Sequence, residues 1–133
     1  MARVIVAEDD FLLGLTYQDA LEASGHETFC AGNGRLALAA VALFDPHLVV
    51  TDLAMPEMTG AELARAIRND PAHSEIPIIL MTAYSRVLAE SDAALFDAIL
   101  RKPVPDQTFV TWAIKMLHDA ERRASDEHGQ TRC

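Results

Sequence analysis

Basic charge is what this chain has least of. Its 11 Lys and Arg residues face 20 Asp and Glu, a net charge of −9 over 133 residues. No basic stripe runs along the sequence, which argues against a nucleic-acid backbone or an anionic membrane surface as partner. Long apolar runs are missing as well: none approaches the ~20 residues that span a bilayer. Met1-Ala2-Arg3 leads straight into a strand-like run, without the pattern of a signal peptide. Cysteine is scarce. Cys30 and Cys133 make neither a disulfide framework nor a zinc site; Cys30 is expected to pack in a core strand, and Cys133 is the last residue. The 5 histidines show no ligand spacing; His26, after Gly25, and His73, after Pro71, are expected to be exposed. The expected setting is a reducing cytoplasm.

What is present is ordinary globular composition, 50% apolar and 23% charged, at a length that supports one domain with a real core. Strand-like and helix-like segments alternate along it. Residues 3–7 (RVIVA) form a β-branched run and predict a strand. A helix over 11–24 follows, with Leu13, Tyr17, Ala20, Leu21 and Ser24 along its inner face and Gly25 stopping it. Residues 28–31 predict a second strand, and Gly32-Asn33-Gly34 turns the chain into an Ala/Leu-rich helix that ends before Asp45-Pro46.

Residues 48–51 predict the third strand. Thr59-Gly60-Ala61-Glu62 matches a capping box and opens a helix carrying Leu63, Ala66 and Ile67 inward as far as Asp70-Pro71. Residues 78–81, apolar throughout, predict a central strand. A weaker helix over about 86–95, a short strand at 98–100 and a final helix starting near Pro105 complete the pattern. From Ala120 the apolar periodicity fades, so residues 1–118 are expected to form the domain and 119–133 a helix extension and disordered tail.

This βα repetition implies a doubly wound α/β fold, a five-stranded parallel sheet with helices on both faces and right-handed crossovers. Such sheets bind ligands beyond the carboxyl ends of their strands. The residues there are Glu8, Asp9 and Asp10 after the first strand, Asp52 after the third, Thr82 after the fourth and Lys102 after the fifth. Four carboxylates at one rim repel one another, and a divalent cation with oxygen ligands, Mg²⁺ by preference, resolves the repulsion. With a hydroxyl and an ammonium added, the rim suits phosphoryl transfer to a carboxylate. Singly, Asp10, Asp52 and Thr82 each have a plain reading as a helix cap or strand-end residue, and Asp10 is best read as a cap. The set at four strand ends is not explained that way.

With "VIVAEDD", "VVTDLAMPEMTG", "IILMTA" and "LRKPV" in this order, the chain resembles a response-regulator receiver domain of two-component signalling across residues 3 to about 118. The resemblance implies the flavodoxin-like strand order 2-1-3-4-5. It implies phosphorylation of Asp52 by a histidine kinase or histidine phosphotransfer protein. It also implies Mg²⁺ held by Asp9, Asp52 and the Ala54 carbonyl, with Glu8 acting through water, and phosphoryl oxygens bound by Thr82 and Lys102. Ala83 matches a position kept small for the donor, and Lys102-Pro103 is expected to be cis. The output is expected to be phosphorylation-controlled binding of a protein, by a stand-alone chain that is a monomer or a phosphorylation-dependent dimer and is not an enzyme acting on other substrates.

Three departures stand out. Ile99 occupies the position of an inward-turning aromatic, Leu95-Phe96 replaces a small pair before the fifth strand, and Ala54 and Tyr84 occupy positions that tune phosphoryl lifetime. Slow self-dephosphorylation is expected, because Ala54 offers no amide to orient water. The methionines Met55, Met58 and Met81 are expected to pack. Phe11, Leu12 and Leu15 are expected to be partly buried, with docking of a phosphodonor as the other reading. Trp112 belongs either to the output face or to the core. The alternatives carried forward are a degenerate receiver that only docks or dimerises, a phosphohydrolase that forms an aspartyl phosphate, and a flavodoxin-like cofactor binder.

Overall fold

The computed structural model describes residues 1–83 and 88–131. The strands are β1 (Arg3–Ala7), β2 (Glu27–Ala31), β3 (Leu48–Asp52), β4 (Ile78–Thr82) and β5 (Ala98–Arg101). Between and after them run α1 (Phe11–Ala23), α2 (Gly34–Phe44), α3 (Gly60–Arg68), α4 (Glu90–Ala93) and α5 (Asp106–Thr131). All strand pairs are parallel, in the order β2-β1-β3-β4-β5. The expected fold class and strand order are therefore the observed ones. No helix among the described residues is long and apolar enough to cross a membrane.

Period-2 alternation along the strands feeds two cores. Ile5, Val49, Ile78 and Leu80 meet α2 and α3 residues such as Ala37, Val41, Leu63 and Ile67 on one face. Val4, Val6, Val50, Ile79 and Met81 meet Tyr17 and Leu21 of α1 and Phe109, Ala113 and Met116 of α5 on the other. The Tyr17 and Phe109 rings close that second core with centroids 4.7 Å apart. β4 is buried along its whole length, as a strand with neighbours on both sides should be.

The local signals act as expected. Asp10 caps α1, its carboxylate accepting from Leu13 N–H; Asn33 caps α2 in the same way; and the Thr59–Glu62 capping box is complete. Gly25 takes φ +91 just beyond α1, a value that strains any side-chain-bearing residue. The Lys102-Pro103 bond is cis. Met55 and Met81 are buried and Met58 packs on the first core.

Several expectations need correction. Cys30 is exposed, because β2 is an edge strand; only its sulfur is sheltered, against Gly14 and Gln18 of α1, and this partial burial pushes the thiol pKa up. Ser24 is the exposed C-cap of α1, while Gly14, absent from the expected stripe, is buried. His26 and His73 are half-buried and bonded: His26 Nδ1 accepts from Ala2 N–H, and His73 faces Asp70 and Asp45 at 2.7 and 3.2 Å. Phe11 and Leu12 are exposed, at 74% and 73%. The fourth helix is short where it is described, Glu90–Ala93, and its expected start near residue 86 lies outside the described residues, as do Tyr84 and Cys133. α5 runs past residue 118 to Thr131, in line with the helix extension expected there.

Candidate functional site

Register decides what meets at the carboxyl end of the sheet. Ala7 pairs with Thr51, Asp52 with Met81, and Met81 with Leu100, so Glu8 follows β1 beside Asp52 at the end of β3, and Lys102 starts two residues beyond that level on β5. Glu8 N–H donates to the Ala31 carbonyl at 3.0 Å, and Lys102 N–H to the Thr82 carbonyl at 2.8 Å. Each functional side chain thus leaves from backbone already tied to the sheet.

Lys102 and Glu8, 94 positions apart in sequence, form the shortest contact of the group, with Nζ 2.6 Å from Glu8 Oε1. The same ammonium lies 3.2 Å from Asp52 Oδ2. Asp52 Oδ1 accepts from Leu53 N–H at 2.7 Å, and Glu8 Oε2 accepts from Asp10 N–H at 3.2 Å. The Glu8 side chain is 3% exposed, and those of Asp52 and Lys102 are each 12% exposed. Burial pushes the Glu8 carboxyl above the usual range, and the Lys102 bond only partly offsets this. Burial pulls the Lys102 ammonium down, but its bond to Glu8 and the charge of Asp52 outweigh that, and its pKa ends above the ordinary lysine value. Beneath the rim, burial pushes the Tyr17 hydroxyl up to about 12.

Asp9 is exposed, and one oxygen each from Glu8, Asp9 and Asp52 lie within 4.8 Å of one another. An all-oxygen set of this kind, partly open to water, fits a hard divalent cation such as Mg²⁺. Thr82 is buried at the end of β4, and Ala54 is exposed in the loop after Asp52. Asp10, by contrast, turns away to cap α1.

Gly60 is the site residue whose role the sequence hid. A Cβ there would fall on the Asp52 carbonyl oxygen and crowd Leu53 Cα, while Gly60 N–H donates to the Leu53 carbonyl at 2.8 Å. The start of α3 is therefore laid directly on the backbone of the residue it must position. A glycine at the first helical position, where alanine is intrinsically better, was the available signal. Gly34 likewise lets α2 lie on the Met58 carbonyl of the same loop. In that loop Glu57 adopts φ 68, and Met58 N–H closes back on the Pro56 carbonyl at 2.7 Å.

Residues 4–113 match the family model of the response regulator receiver domain. The chain belongs to that family. The receiver is 30% identical over 119 residues to the polar-differentiation response regulator DivK of Brucella anthropi, covering 88% of this chain and 97% of DivK. It is 33% identical over 102 residues to the regulatory protein AtoC of Escherichia coli, covering 74% of this chain but only 22% of AtoC. Among solved structures it resembles the chemotaxis response regulator CheY4 of Vibrio cholerae, at TM-score 0.80 and 25% identity over 87% of this chain and 98% of that one. The signal receiver domain of a LuxO repressor protein from Vibrio parahaemolyticus shares the fold at TM-score 0.85, with 24% identity over 95% and 97% of the two chains. Receiver domains are regulatory phosphoacceptors of two-component signalling that bind Mg²⁺ through acidic residues, and they are generally not enzymes.

Proposed function

We propose that this receiver accepts a phosphoryl group on Asp52 from a phosphohistidine of a histidine kinase or histidine phosphotransfer protein. The carrying observation is the Asp52 carboxylate with Lys102 Nζ at 3.2 Å and the Glu8 and Asp9 oxygens beside it. Asp52 Oδ attacks phosphorus, an O–P bond forms, the N–P bond breaks, and the histidine nitrogen leaves with the electron pair. Lys102, already drawn toward Asp52, balances charge on the phosphoryl oxygens, and the Thr82 hydroxyl binds another of them. Asp9, Asp52 and the Ala54 carbonyl, with Glu8 through water, would hold Mg²⁺, which supplies charge neutralisation at the transferring group.

Phe11, Leu12 and Leu15, at 74%, 73% and 37% exposure, begin the helix that follows the acidic triplet and offer the donor an apolar landing surface. The added charge of about −1.5 to −2, by analogy with a phosphomonoester, then biases the surface that an output protein reads. Ile99 is 46% exposed on β5 and has no hydroxyl to bury or reveal, so the readout does not run through an aromatic rotation there. That feature also favours the second reading, a receiver that docks without being phosphorylated.

Incubation with Mg²⁺ and acetyl phosphate, followed by intact mass, separates the two. The proposal expects one added phosphoryl on the wild type and none on Asp52→Asn; equal behaviour of the two proteins sinks it. Phosphoryl lifetime gives a further prediction. Ala54→Asn, which adds an amide to orient water, is expected to lose label several-fold faster than wild type.

A further inference from the structure

α2 packs inside out. It buries Gly34, Ala37, Ala40 and Val41, while Leu36 and Leu43 stand 55% and 89% exposed. On the same side of the sheet α3 does the reverse, burying Leu63 and Ile67 and exposing Glu62 and Arg65. A surface helix normally turns charge outward. Between Arg35 and Asp45 the outward residues of α2 are Leu36, Ala39, Ala42 and Leu43. Phe29 of the edge strand β2, 44% exposed, extends this surface, its ring 6.0 Å from that of Phe44.

The terminal charges of α2 are also reversed. Arg35 lies in the first turn, where the helix dipole favours an acid, and Asp45 is the C-cap, where it favours a base. In α3 the order is the favourable one, Glu62 first and Arg65 and Arg68 last.

We propose that this face binds the same face of a second copy of the chain, with the two α2 helices antiparallel about a twofold axis. Leu36 and Leu43 are 7 residues apart and share one side of the helix, with Ala39 between them. Reversing one copy about a point between Ala39 and Ala40 sets Leu36 against Leu43 of the second copy. It sets Ala39 opposite Ala40 of the second copy, one residue from its own counterpart, where small side chains let the backbones approach. The same operation sets Arg35 opposite Phe44 of the second copy, one residue from Asp45, so each misplaced charge lies near its opposite. Asp45 also faces His73 at 3.2 Å and Arg3 at 3.8 Å, yet its side chain stays 75% exposed. A twofold contact requires such a self-complementary patch. A helix pair this short lies at the small end of specific interfaces, which sets the expected Kd at about 10–100 µM.

The contact uses no residue of the acid rim, so sedimentation velocity on the full chain without phosphodonor tests it separately from phosphorylation. Over about 5–500 µM a monomer–dimer equilibrium is expected. Leu43→Glu should weaken it at least about 10-fold, and Ile114→Glu, on the exposed side of α5, should leave it unchanged. In a Cys30→Ser, Cys133→Ser background, Ala39→Cys should form an intermolecular disulfide under mild oxidation. A chain that stays monomeric throughout the range, a dimer that survives Leu43→Glu, or the absence of the Ala39→Cys cross-link overturns the proposal.

Discussion

His26 and His47 bracket the start of β1 by accepting the N–H groups of Ala2 and Arg3, at 3.2 and 3.0 Å, whereas Glu8 and Asp52 at the far end of the same sheet share one lysine ammonium. The amino end repeats its pattern. Arg68 donates to the carbonyls of Ser74, Ile76 and Leu95, and Asp97 joins Arg68 to the first N–H of β4. There, polar side chains satisfy backbone groups that the sheet leaves open, and each bond serves folding. At the carboxyl end the charged groups are directed mainly at one another. Three clustered carboxylates, two of which share one ammonium, is an arrangement that folding alone does not call for, and among the described residues it leaves the rim short of positive charge.

The two ends can be broken separately. Gly60→Ala should have the largest effect, because its Cβ collides with backbone rather than with a yielding side chain. A loss of about 3 kcal/mol in urea unfolding is expected, together with loss of acetyl phosphate labelling per folded molecule. Arg68→Ala should cost about 2–3 kcal/mol, since several carbonyls and the Asp97 carboxylate lose their donor. Its labelling per folded molecule should match wild type; a rim that fails with Arg68 would mean the two ends are not independent.

Lys102→Met should cost about 2 kcal/mol in EDTA, because Glu8 and Asp52 then lose the cation that bonds them among the described residues. Millimolar Mg²⁺ should stabilise this variant more than the wild type. Equal stabilisation would show that the lysine and the metal do not answer the same charge.

The smallest effect lies at the amino end. The hydrogen bond to Asp70, with help from Asp45 and against some burial, raises the His73 pKa above its ordinary value. Protonated His73 therefore adds stability that is fully present below the ordinary histidine pKa of about 6.5 and is lost as pH rises through the raised value. The difference in urea midpoint between wild type and His73→Gln should shrink as pH rises past that range. A difference constant from acid to alkaline pH would remove His73 from the account.

Much of the fold was legible because it rests on local signals. Period-2 runs marked the strands, and the Thr59–Glu62 box and Gly25 set helix ends within a residue of where they lie. The acids, hydroxyl and lysine at the strand ends could be identified because parallel strands with right-handed crossovers bring their carboxyl ends to one side. What was misread depends on neighbours distant in sequence. Among the described residues, Cys30 is exposed because no strand lies beyond β2, and Phe11 and Leu12 because nothing covers the start of α1. His73 is held by Asp70, three residues before it, and by Asp45, which reaches it from a loop 28 positions away.

By itself the sequence determined the order of elements, their caps and the kinds of side chain waiting at each strand end, since periodicity and capping act over a few residues. Only the tertiary structure decided that Lys102 reaches both Glu8 and Asp52, that α3 lies on the Asp52 carbonyl through Gly60, and that α2 shows its leucines to water. Such contacts depend on how strands align and which surfaces meet. Alignment and covering are set by the whole packed chain and carry no mark in any short stretch of it.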